Sequence, residues 1–320
     1  MSKGRTCPTD YRLPADAFSA PASLACNVLY VIGGLYGNRQ ALDVIERKLA
    51  SEPGAAAVFN GDAHWFDCDP AIFSDIEQRL QRHHPLRGNV ETELARSGDA
   101  FGCGCAYPEQ TSADTVEHSN RIHQQLQQTV DSLPGMAEQL GKRPAWLVAE
   151  VAGEPVGITH GDEQSLAGWQ CDHAALARDE RQQQLNAWFG QQRIRVLACS
   201  HTCSPAALST GQWAVINNGA AGMPNFNNGR YGLLTRIAPT PSASAIYRAH
   251  VGKLVIEALP VNYDQQTFAA EFAHQWPADS PAAVAYGQRI KHGTDRAPAD
   301  ACIAGFTFAS TLCAMDAQLL

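Results

Sequence analysis

The stretch Ala55-Ala56-Ala57-Val58-Phe59-Asn60-Gly61-Asp62 decides the fold. A short apolar run without polar alternation, closed by a glycine turn, reads as a strand buried on both faces. Its last residue, Asp62, is thereby placed on a loop at the strand end. The same grammar recurs along the chain. Gly88-Asn89, His160-Gly161 and Ser200-His201-Thr202-Cys203 each follow an apolar run, so four donor side chains arrive on loops at strand ends. A fifth run, Val28 to Ile32, leads into Gly34-Leu35-Tyr36-Gly37-Asn38, where further donors would be expected and none is supplied.

Outward from these loops, the first half of the chain alternates strand and helix. Asn38 is placed to cap a helix with Ala41, Leu42, Ile45 and Leu49 on one face. Asp69 and Pro70 form the cap and first turn of a helix bearing Ile72, Phe73, Ile76 and Leu80. Residues 99–110 read as a loop containing Cys103 and Cys105. A helix is expected from about Ser112 to Val130, on the stripe Val116, Ile122, Leu126 and Val130. Trp146 to Val151 and Pro155 to Thr159, around Gly153, look like a hairpin that delivers His160. Ala174 to Phe189 reads as one helix, and Ile194 to Cys199 as the strand that delivers His201.

The remainder is strand-rich: Trp213 to Ile216, Tyr231 to Ile237, Ala243 to His250 and Leu254 to Leu259. Two helices follow, Gln265 to His274 and Ala282 to Ile290. A single doubly wound parallel sheet does not predict that strand-rich second half. An α/β fold of two packed mixed β-sheets flanked by helices does. The expected organisation is an irregular lead-in over 1–26, one domain over 27–295 and a tail over 296–320.

The 320 residues, 45% hydrophobic and 18% charged, make a globular chain with ample core. A formal charge of −8 argues against a broad nucleic-acid surface, which needs a basic stripe. It leaves room for a small phosphorylated molecule, because a bound cation reverses the local sign. No run reaches the roughly 20 apolar residues of a membrane helix. The nearest, Ala301 to Met315, is interrupted by Thr307, Ser310 and Thr311. Ten cysteines with no export signal at the start of the sequence fit reduced thiols and a cytoplasmic location.

Asp62, Asn89, His160 and His201 offer two oxygen and two nitrogen donors. That set suits Mn, Fe or Zn better than Mg or Ca. Each residue taken singly is weak evidence, since Gly-Asp and Gly-Asn pairs usually make turns and a histidine after a strand is commonly structural. Their order along the chain carries the signal.

From Val28 to Pro260 the chain resembles the calcineurin-like metallophosphoesterase superfamily, and most closely its small bacterial phosphodiesterase and diadenosine-tetraphosphatase-like branch. That pattern runs Asp-x-His, Gly-Asp, Gly-Asn, His and Gly-His-x-His, each after a strand. Gly61-Asp62, Arg87-Gly88-Asn89 and Thr159-His160-Gly161 match its later members, and Ser200-His201-Thr202-Cys203 matches the last with its first Gly and last His replaced. Asn217-Asn218-Gly219-Ala220-Ala221-Gly222 resembles a downstream turn. The resemblance implies a four-layer α/β/β/α sandwich. It also implies that Asn89, His160 and His201 hold one divalent metal and that Asp62 bridges to a second. The second metal's own ligand positions are occupied here by Gly34, Tyr36 and Cys203.

Tyr36 is a poor ligand unless its phenol ionises, so space filling or a bond to a substrate oxygen is the alternative. Cys203 can ligate as a thiolate or lie inert. His64 and Asp67 are near enough in sequence to Asp62 to reach the cleft and rebuild a second metal. Asn38 and Arg87 are candidate phosphate contacts, against a plain helix cap and a surface arginine. Cys103 and Cys105 read as a turn or a redox pair. Two functions follow: a metal-dependent phosphoesterase with one intact and one depleted site, using Asp62, Asn89 and His160 as its catalytic set, or an inactive relative binding a phosphorylated ligand or a protein. In the first, no histidine follows Asn89 to act as general acid. Oligomeric state is left open.

Overall fold

Seven strands in each of two sheets organise the chain, whose computed structural model describes residues 3–309. From edge to edge, one sheet runs Leu24–Cys26, Trp146–Val151, Glu154–Thr159, Val196–Cys199, Ala214–Asn217, Ala206–Ser209 and Cys302–Ala304. The other runs Thr307–Phe308, Tyr247–Val251, Leu254–Val261, Gly232–Ala238, Val28–Ile32, Ala55–Asn60 and His84–Leu86. Parallel pairs lie at the heart of each: Val28–Ile32 with Ala55–Asn60, then His84–Leu86, and Glu154–Thr159 with Val196–Cys199, then Ala214–Asn217.

The strand of residues 28–32 explains the layering. Leu29 and Val31 point into the core between the sheets, beside Val156, Ile158 and Val196. Val28, Tyr30 and Ile32 point the other way, onto the helices carrying Leu42, Ile45, Phe73 and Ile76. Successive side chains of a strand alternate faces, so a strand covered on both sides is apolar throughout. The first sheet is covered by the helix Asp179–Gln191, whose Leu185 and Phe189 pack on Leu197, Cys199 and Val215. The four-layer α/β/β/α sandwich results.

Helix starts follow the caps. Asn38, Asp69 and Ser112 each accept the backbone N–H of a first-turn residue. Three expectations change. Residues 1–26 are not wholly irregular, because Leu24–Cys26 pairs in parallel with Ala149–Val151 and the bulky Tyr11 and Phe18 are buried. The expected helix from Ala174 to Phe189 is two, His173–Leu176 and Asp179–Gln191, with Arg178 extended between them. Within 296–309, Cys302–Ala304 and Thr307–Phe308 add an edge strand to each sheet. Residues 310–320 of the expected tail, with the end of the apolar run to Met315, lie outside the described residues. No helix among the described residues is long and apolar enough to cross a membrane.

Candidate metal centre

The carboxyl ends of the parallel strands in both sheets open at one end of the sandwich, where ligands of such sheets usually bind. A hydrogen-bond chain ties the sheets together there. Asn60 Nδ2 donates to the Thr159 carbonyl at 2.7 Å and to Ser200 Oγ at 3.0 Å, and Ser200 Oγ donates to Asn218 Oδ1 at 2.8 Å. Asn218 Nδ2 then reaches the carbonyls of Gly33 and Leu233 at 3.0 and 2.8 Å. Gly33 must lack a side chain, since a Cβ would stand 1.8 Å from Ser200 Oγ. Ser200, at the position where a glycine was expected, is thus a strut.

Asp62, His160 and His201 converge with ligand atoms all within 4.8 Å of one another. His160 Nε2 lies 3.3 Å from Asp62 Oδ2, 3.1 Å from Asn89 Oδ1 and 3.1 Å from His201 Nδ1. The rest of each side chain is spoken for. His160 Nδ1 faces the Asn60 carbonyl at 2.8 Å and His201 Nε2 faces the Cys105 carbonyl at 3.0 Å. A carbonyl only accepts, so both of these ring nitrogens carry hydrogen, and the neutral rings turn bare lone pairs inward. Asn89 Nδ2 donates to the Cys103 carbonyl at 2.9 Å, which turns Oδ1 inward as well.

Four acceptors therefore crowd one point, all at most 5% exposed. Such a point requires a cation or a proton. Pinning the far nitrogen of a ligating histidine on a backbone carbonyl is how metal sites orient their imidazoles, so the donor set fits a divalent ion. Without one, the charges settle on an ion pair. Burial opposes a charge on His160, but the Asp62 carboxylate outweighs it and raises the pKa. Burial and the charge on His160 push His201 down to about 3, so it stays neutral. Burial likewise opposes ionisation of Asp62, and the two histidines more than offset it.

Glu91 was missed in the sequence. Its carboxylate accepts the N–H groups of Asp62 at 2.9 Å, Ala63 at 2.8 Å and Gly88 at 2.7 Å, clamping the Asp62 and Asn89 loops together. The signal was present: glutamate at the third helical position after Gly88 is a capping-box spacing.

The other expected residues divide. Asn38 is fully buried, accepting from Ala41 N and donating to the Gly222 carbonyl, so it is a cap and strut and not a phosphate contact. Arg87 donates to the Gly141 carbonyl at the end of the helix Met136–Gly141, the usual place for a cation, and does not line the site. His64 and Asp67 do not rebuild a second metal. His64 is stacked on Phe73 and clamped between Asp67 at 2.5 Å and Glu77 at 2.7 Å, with Arg143 completing the buried cluster. Both ring nitrogens are consumed.

Cys203 stands apart from the converging donors; its Sγ meets the Tyr36 hydroxyl at 2.6 Å. Tyr36 in turn occupies the space beside Gly34, where a Cβ would lie 2.7 Å from the ring. Cys103 and Cys105 are free, buried thiols that serve the site through their carbonyls, and Cys105 Sγ also accepts from Asn89 Nδ2 at 3.5 Å.

A roof closes the centre. Trp65, Tyr107, Trp169 and Tyr286 line a cavity of about 40 Å³ above the donors. Trp169 sits edge-on to His201, 5.2 Å between ring centres, and donates to the Cys105 carbonyl. Its loop is rigid: Asp162 accepts the N–H groups of Gln164, Ser165 and Gln170, while the buried Glu163 and Arg181 form a two-pronged ion pair.

No family model and no curated protein sequence matches the chain. Solved structures do. A hypothetical protein of Pyrococcus horikoshii superposes with a TM-score of 0.57 at 14% identity, covering 85% of this chain and 100% of that one. A metallophosphoesterase of Sphaerobacter thermophilus does so with a TM-score of 0.53 at 12% identity, covering 83% and 100%. At such identities the likeness is one of architecture: the two-sheet sandwich of this chain is the metallophosphoesterase fold, with a donor cluster at the carboxyl ends of its strands.

Proposed function

We propose that the chain is a metal-dependent phosphoesterase working with a single divalent ion, Mn, Fe or Zn, on a small phosphodiester or nucleotide-like molecule in the cytoplasm. The observation that carries this reading is the inward convergence of Asp62, Asn89, His160 and His201, each with its remaining polar atoms tied elsewhere. Two histidine nitrogens meet there at 3.1 Å beside a carboxylate and an amide oxygen, a donor set that a divalent ion satisfies.

Asn89, His160 and His201 would hold the ion together with Asp62. Its chemistry, when bound, is Lewis-acid polarisation of a phosphoryl oxygen and a lowered pKa for coordinated water. Asp62 faces His160 through Oδ2 and accepts the Val90 N–H through Oδ1, which fixes its carboxylate toward the centre. Glu91 keeps Asp62 and Asn89 in mutual register. The aromatic roof excludes bulk water. Val90 follows Asn89, so the leaving group takes its proton from water or from another side chain.

A second reading has its own support. The cavity of about 40 Å³ is small, and a non-catalytic protein holding an ion beneath the aromatic roof accounts for the same donors. Metal content of the native chain, with hydrolysis of an aryl phosphodiester under added Mn, separates the two. The phosphoesterase reading expects turnover that disappears in Asp62→Ala and His160→Ala. An ion bound without turnover selects the second reading, and a chain that takes up no ion removes both.

A further inference from the structure

Three non-glycine residues of the site hold left-handed backbone: Tyr36 at φ 56°, Asp62 at 53° and Cys203 at 55°. All three line the one small cavity. Such a conformation is strained for a residue with a side chain and persists where the surroundings, often a functional site, demand it. The donor cluster accounts for Asp62. Tyr36 and Cys203 are not part of that cluster, yet their hydroxyl and thiol are brought within 2.6 Å of each other at the cavity wall.

The arrangement is interlocked. The Tyr36 ring fits only because Gly34 is bare, and Tyr36 N donates to the Asp62 carbonyl at 3.2 Å, so phenol and carboxylate are carried on one hydrogen-bonded pair of loops. Arg289 donates to the Cys203 carbonyl at 2.8 Å and fixes the thiol's loop from behind. Packing alone would be met by phenylalanine, with no use for the hydroxyl.

Resting on the reading of the centre as a phosphoryl-binding site, we propose that Tyr36 is its substrate-contacting hydrogen-bond donor, with Cys203 holding the hydroxyl until a phosphoryl oxygen replaces it. A thiol sulfur is a weak acceptor and an anionic phosphoryl oxygen a strong one, so the exchange favours the ligand.

The test uses the full chain with Mn and inorganic phosphate as the probe, followed by calorimetric titration. Tyr36→Phe keeps the ring and is expected to bind the same one ion per chain, melt within a few degrees of the wild type, and bind phosphate about tenfold more weakly, the worth of one hydrogen bond. Cys203→Ser gives the hydroxyl a stronger resting acceptor and is expected to bind phosphate more weakly than the wild type; tighter binding in this variant counts against the exchange. Equal phosphate affinity in Tyr36→Phe and wild type overturns the proposal while leaving the metal reading intact. A wild type that takes up Mn and binds no phosphate overturns it as well. Failure to take up Mn at all strikes the proposed function itself.

Discussion

Replacing Glu91 by glutamine changes one atom and is expected to loosen the whole centre. The carboxylate accepts three backbone N–H groups, with Oε2 serving Asp62 and Gly88 and Oε1 serving Ala63. Glutamine retains a single acceptor oxygen. In its better orientation the oxygen keeps Asp62 and Gly88, and the amide nitrogen faces the Ala63 N–H, donor against donor. Hydrogen bonds to a charged group contribute about 1.5–3 kcal/mol each, against about 1 kcal/mol for neutral ones. Losing one and weakening two comes to about 3–5 kcal/mol. For a chain of this size that lowers the melting temperature by roughly 4–7 °C. Because the same bonds orient Asp62 and Asn89, Mn affinity should fall about 10–100-fold, as for other residues that support metal ligands. Urea unfolding of the metal-free chain and Mn titration measure the two effects. A Glu91→Gln protein within 1 kcal/mol of wild type, binding Mn equally well, would refute the clamp.

His64 should impose an alkaline limit on stability. Burial disfavours its charge, but Asp67 and Glu77 reverse this and raise its pKa to about 9. A raised pKa contributes stability that is complete below the unfolded value of about 6.5 and lost as pH rises through 9, about 3 kcal/mol in all. His64→Gln should flatten that slope in urea unfolding between pH 6 and 10, and an unchanged slope would show that His64 is not its source. Metal uptake should follow pH in the opposite sense. The raised pKa of His160 means a proton competes for the inward nitrogen, so Mn binding weakens on acidification; identical affinities at pH 6 and pH 8 would contradict this. Cys105→Ser should keep Mn affinity within about threefold, less than one hydrogen bond's worth, because the backbone carbonyl and not the thiol supports His201.

Much of the architecture was legible because it is written in local pattern. Strands buried on both faces are unbroken apolar runs, and caps such as Asn38, Asp69 and Ser112 sit one residue before the helices they start. The strands Leu24–Cys26, Ala206–Ser209 and Cys302–Ala304 were not read because three or four residues carry no period. Their existence depends on pairing with distant neighbours. Asn38 and Arg87 misled for a related reason: a polar residue beside a ligand loop gives no sign of which way its side chain turns, and both turned to carbonyls inside the protein.

The sequence by itself determined the donor types and their order, and apolar runs ending in turns place Asp62, His160 and His201 at strand ends before any tertiary contact is known; the strand before Asn89, His84–Leu86, has no such run. Only the tertiary structure decided how those donors face. The partners that orient them are the carbonyls of Asn60, Cys103 and Cys105. Every residue carries a carbonyl, so no side-chain pattern marks the three that are used. The roof was equally beyond reach, because Trp65, Tyr107, Trp169 and Tyr286 come from four separate segments that meet only when the sheets and helices have packed.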